Sequence, residues 1–285
     1  MSSSDPLSYR APLEEYKQQA DALFHAVKSG DEAAQWRFKW VHPRFHGKSA
    51  TDVKIANLDL NDAHEVVARE YCFASWAALA EFTDSVSRDG PVARFEAAVE
   101  AVISGDVAAL RSMLHDNPEL VRARSTRAHL ATLLHYIGAN GVEGGRQKTP
   151  ANAVEVAKIL LDAGAEVDAL ADMYDNKCTT MSMLASSCHP AKAGLQAALA
   201  ETLLDYGAAL VGPEQVHVAA DLAGLVADAA VERRVVSLDF LQGGAHGVGR
   251  HCEFARAPAT VAQNAWDMDR DGHGKPSFTD GEAGG

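Results

Sequence analysis

Few of the 285 residues stand in a pattern that chemistry would need. Asp267, Asp269 and Asp271 hold the first, third and fifth positions of a calcium-type loop, with Gly272 at the sixth. The twelfth position should carry a bidentate Glu and carries Phe278; the eighth, normally apolar, is Gly274. The run therefore reads as an acidic tail. Cys178, Cys188-His189, His246 and His251-Cys252 lack any C-x-x-C half-site, and the His246-to-His251 spacing fits neither a helical histidine pair nor a zinc module. Gly141–Thr149 is glycine-rich and ends in Lys-Thr, but it lacks the spacing of a phosphate loop and follows no strand. No G-x-S-x-G or H-E-x-x-H motif or dinucleotide fingerprint occurs. The sequence thus assigns no catalytic residue, no metal ligand and no cofactor. A hidden metal-dependent hydrolase would need a ligand set or nucleophile–base pair that is not placed.

What remains is surface chemistry, bounded by composition. With 47% apolar and 23% charged residues the chain is an ordinary globular one. No run approaches the roughly 18–20 apolar residues of a membrane span, and the opening residues do not resemble a signal peptide. A cytoplasmic address and no membrane partner are expected. The scattered Cys72, Cys178, Cys188 and Cys252 fit a reducing compartment. A net charge of −13 argues against a nucleic-acid partner, since phosphates would be repelled.

The elements that would present this surface are helical. Leu13, Tyr16, Ala20, Leu23, Phe24 and Val27 form one stripe, ended by Gly30; Asn61 is placed to cap a helix from Asp62 to Tyr71, and Ser75 another from Trp76. Farther on, a helix–loop–helix–turn pattern occurs three times. It runs from Phe95 through Ser104-Gly105-Asp106 to Leu114, from Ala131 to Asp168, and from Thr179 to Ala208. Ile159-Leu-Leu-Asp-Ala-Gly-Ala165 and Thr202-Leu-Leu-Asp-Tyr-Gly-Ala208 echo each other, each a helix end closed by glycine.

Thr132-Leu-Leu-His135 followed by such a Gly-Ala ending resembles the ankyrin repeat, with Leu133 in place of the usual proline. Thr180-Met-Ser-Met183 lacks the histidine. The resemblance covers residues 91–212. It implies an all-α fold, a short ankyrin-repeat solenoid of about three repeats, in which Thr132 caps a helix and pairs with His135 to join neighbouring repeats. Residues 1–9 are expected to be a disordered N-terminus and 10–88 a helical region, either a cap on the first repeat or a separate interaction module, in which Leu60–Trp76 resembles the short helical segment found before bacterial ankyrin arrays. Residues 213–285 are expected to be irregular, and largely disordered after about 250.

Ankyrin resemblance implies protein–protein interaction rather than catalysis, by a scaffold or adaptor, or alternatively by a regulatory subunit of a neighbouring enzyme. Two surfaces are candidates. The first finger between repeats is basic, with Arg122, Arg124, Arg127 and His129; the second is acidic, with Glu166, Asp168, Asp172 and Asp175 around Tyr174. These fingers either pair with each other or form a bipolar strip that orients a partner. Two insertions, 142–152 and 188–196, lengthen the connections within repeats. They are expected to form one edge carrying Arg146, Lys148, His189 and Lys192.

Overall fold

The computed structural model describes residues 6–209 apart from 174 and 175. Tyr174, Asp175, the calcium-type run 267–272, the His246–Cys252 group and the expected irregular region 213–285 lie outside the described residues.

The described chain is mostly helical. Five helices come first: α1 (Leu13–Lys28), α2 (Glu32–Val41), α3 (Ala50–Ile55), α4 (Leu60–Glu70) and α5 (Trp76–Ser87). The stripe of α1 buries Tyr16, Ala20, Leu23 and Val27 as its spacing requires. α4 begins two residues earlier than the sequence suggests, because Asp59 caps it and forms a reciprocal capping box with Asp62. Ser75 caps α5 by accepting from the Ala78 amide at 3.2 Å. These helices close on their own core, which includes Phe38, Val66, Phe73, Leu79 and Phe82.

The second part contains α6 (Pro91–Ser104), α7 (Val107–Asp116), α8 (His135–Gly138), α9 (Ala153–Asp162), α10 (Thr180–Ser186), α11 (Cys188–Lys192) and α12 (Gln196–Asp205). α6, α8 and α10 pack in one row, and α7, α9 and α12 in a second row against it. Val99, Leu110, Leu134, Leu160, Leu184 and Leu203 belong to the shared core between them. Between α9 and α10 the chain makes a short antiparallel hairpin, β1 (Ala171–Met173) with β2 (Asn176–Cys178), pairing Asp172 with Lys177. α8 is a single turn, ended by Ala139 in the left-handed region at φ 49°. No helix among the described residues is long and apolar enough to cross a membrane.

Gly105 shows why the turns are glycine. It closes α6 at φ +74°, and a Cβ there would lie 2.1 Å from Asn152 Oδ1 and 2.9 Å from Pro150 Cβ. Asn152 also donates to the Gly105 carbonyl at 2.9 Å, so the 139–152 loop is pinned to this turn. Gly164 has a similar φ of +94° but open space around it. Gly105→Ala should therefore cost at least about 2 kcal/mol and Gly164→Ala only about 1 kcal/mol, as read by urea denaturation.

Candidate functional site

α6 is buried on nearly every face, yet it carries Glu96 at 0% exposure. A carboxylate taken out of water needs cations, and two arginines supply them. Arg146 ion-pairs with Glu96 and also contacts Glu100 at 3.0 Å. Arg127 lies 3.5 Å from Glu96 and ion-pairs with Glu143. Glu143 further receives the Tyr136 hydroxyl at 3.3 Å and faces His129 Nε2 at 3.3 Å. The arginines outweigh the cost of burial and hold the Glu143 carboxyl well below its ordinary range.

This network lies between the two cores. The Arg127 guanidinium sits 4.7 Å over the Phe73 ring and 4.5 Å over Phe82, and it donates to the Tyr71 carbonyl at 3.0 Å. Next to it the Ala128 amide donates to the Cys72 carbonyl at 2.7 Å. Cys72 itself ends α4 with φ 63°, and burial pushes its thiol up to about 12, so it has no thiolate character. On the other side the Arg146 guanidinium lies 5.2 Å over the Tyr9 ring. A Cβ on Gly145 would meet Pro6 at 2.7 Å, so a side chain there would displace the N-terminal arm.

Three expectations are corrected by this geometry. Arg127, His129 and Arg146 are not surface residues: each is buried, because each is paired inside the junction between the two helical parts. The first insertion is likewise not a free edge. Val142, Glu143 and Arg146 turn inward against α6 and the N-terminal arm, leaving Lys148 exposed. The second insertion is partly helical, as α11, with His189 half-buried and Lys192 exposed. The bases of the two insertions do meet: the Ser187 hydroxyl donates to the Ala139 carbonyl at 3.1 Å. One signal for the junction was present in the sequence. Glu96 and Glu100 are four residues apart in a largely apolar helix, so they share a face that has to find cations.

The other exposed candidates, Arg122, Arg124, Glu166 and Asp172, lie on the two loops that precede α8 and α10. Their spacing is set by backbone and side-chain bonds. The Asp172 amide donates to the His129 carbonyl at 2.8 Å. A single nitrogen of Arg124, Nη1, donates to the carbonyls of Leu130 at 2.9 Å and Leu170 at 2.6 Å. His135 completes the tie: its Nδ1 accepts from the Thr132 hydroxyl at 2.8 Å and the Thr132 amide at 3.1 Å, and its Nε2 donates to the Ala169 carbonyl at 3.0 Å. Each loop shows one bare aliphatic side chain, Leu130 at 42% exposure and Leu170 at 38%. Leu130 holds φ 52°, a left-handed conformation that costs a leucine about 1–2 kcal/mol.

Around these leucines the charges stay unpaired across the loops. Among the described residues neither Arg122 nor Arg124 ion-pairs with Glu166 or Asp172; Asp172 pairs instead with Lys177 of its own hairpin. Asp168 is occupied differently, accepting from the Ala209 amide at 3.0 Å. Among the described residues no group of three or more His, Cys, Asp or Glu side chains is placed to hold a metal ion.

Two measurements check this account. Arg127→Ala, which strands Glu96 and Glu143 in the interior, should lose about 3–5 kcal/mol of stability in urea denaturation. Burial pushes the His135 imidazole down from 6.5 to about 4, against the pull of the carbonyls of Cys178, 3.3 Å from Nε2, and Ala169. The unfolded chain then takes up a proton before the folded chain does. Stability is full above about pH 6.5 and falls towards pH 4, by up to roughly 3 kcal/mol. His42, His64 and His189 are shifted the same way, so His135→Gln should flatten this slope without abolishing it. No family model matches the chain, and no curated protein matches it.

Proposed function

We propose that the chain is a non-enzymatic binding module, a short stack of ankyrin-type repeats with an N-terminal helical cap, that takes a protein partner in the cytoplasm. The Thr132–His135–Ala169 chain of hydrogen bonds supports the repeat reading, because it joins one helix–loop–helix unit to the loop of the next. The two rows of helices are the packing such repeats would give.

The observation that carries the binding reading is the bipolar pair of loops. Arg122 and Arg124 on one loop and Glu166 and Asp172 on the next are exposed, registered side by side and unpaired with each other. Like charges grouped on one loop and opposite charges on its neighbour fix the orientation of a partner and speed its encounter. Lys148, His189 and Lys192 on the insertions form a secondary surface in this reading. Tyr174 belongs to the second loop by sequence.

Affinity capture with the tagged full chain, followed by mass spectrometry, tests the proposal. A protein recovered in stoichiometric amount should fall at least about tenfold with Arg122→Glu and with Glu166→Lys. Equal recovery with both variants, or no stoichiometric partner of any kind, whether another protein or the chain itself, would count against it.

A further inference from the structure

The two loops also have a symmetry that names a partner. The first loop is basic and carries Leu130; the second is acidic and carries Leu170. Both leucines are exposed, and one Arg124 nitrogen ties their carbonyls together, so the apolar pair lies at the seam between opposite charges. A strip that is positive at one end, negative at the other and apolar in the middle is complementary to itself after a half-turn. A two-fold axis through the seam places the basic loop of one copy on the acidic loop of the other, twice, and brings Leu130 of each copy onto Leu170 of its mate. We infer that the partner taken by this strip is a second copy of the chain, in an isologous dimer. The inference rests on reading the strip as a binding surface and adds the identity of what binds.

Two features of the loops favour this occupant. Arg122 and Glu166 have no ion-pair partner among the described residues, so the cross-pair would satisfy both without breaking an internal contact. Leu130 holds a left-handed φ of 52° that lets its carbonyl accept from Arg124, yet the turn leaves 42% of the residue exposed. A contact from outside the protomer would cover the side chain that this strained turn presents.

The test uses the full chain in sedimentation equilibrium over about 1–100 µM. The wild type should dimerise in this range. Leu130→Asp with Leu170→Asp should weaken the dimer at least about a hundredfold, and circular dichroism should be unchanged because both sites are exposed. The decisive arm is charge exchange. Arg122→Glu and Glu166→Arg should each weaken self-association about tenfold, since each sets like charges against each other twice. An equimolar mixture of the two variants should recover wild-type affinity as a heterodimer, because both cross-pairs are then opposite in sign. A chain that stays monomeric throughout the range overturns the inference, as does a dimer indifferent to the leucine changes or a mixture that fails to recover. If a different protein is captured through the strip while the chain is monomeric, the binding-module reading survives and the dimer does not. If neither a dimer nor any captured protein depends on the strip, both fall.

Discussion

Where the two apolar cores meet, the joint is made by charge. Glu96, set in a helix with almost no open face, obliges Arg146 and Arg127 to come inside, and Arg127 in turn brings Glu143. Among the buried groups two arginines meet two carboxylates, with Glu100 half-exposed at the edge, so the charges taken out of water balance. It is not perfectly made: Glu96 Oε1 and Glu143 Oε2 find no hydrogen-bond partner among the described protein groups. A buried network of this quality adds little net stability over an apolar joint of the same size, but breaking any one of its pairs would strand a buried charge. The aromatic faces of Phe73 and Phe82 under Arg127 help to hold it in place.

That fixed joint sets the position of everything exposed. Arg127 and Ala128 are tied to Tyr71 and Cys72, so the loop that carries them leaves the N-terminal helices at a defined place. Three residues later Leu130 is presented, and Arg124 transfers its position to Leu170 on the following loop. His135 then locks the second loop through Ala169. The charged strip is therefore rigid because residues beside it are buried. A loop that looks in sequence like one continuous basic surface is divided between an anchor and a face.

The sequence displayed the helices better than the joint. α1 and α5 follow from an uninterrupted stripe and a serine cap, and the paired Leu-Leu-Asp-x-Gly-Ala endings locate the turns after α9 and α12. α2 is less legible, because Trp36 lies exposed on its outer side and blurs the apolar face made by Ala34, Phe38 and Val41. The hairpin at 171–178 carries no Asn-Gly signal and was not visible. Arg127, His129 and Arg146 were misplaced for a different reason. A charged residue in a loop between helices is normally solvated; the burial of Arg127 and Arg146 depends on Glu96, about thirty to fifty positions away in α6, and that of His129 on Glu143 in the following loop. Periodicity reports what a segment buries locally and is silent about a long-range ion pair.

One feature of the stack has a kinetic meaning. α8 has only four residues, yet it occupies the middle of its row, between α6 and α10. A single helical turn cannot pass its own nucleation barrier in water, since it fixes several residues for very few hydrogen bonds. It can order only on a surface that already exists. The centre of this array is therefore a templated element, and the long loop behind it closes after its neighbours are in place. Nucleation belongs to the flanks, to the α6–α7 pair on one side and the α10–α12 pair on the other. This short segment thus carries the histidine that ties its own loop to the one before α10.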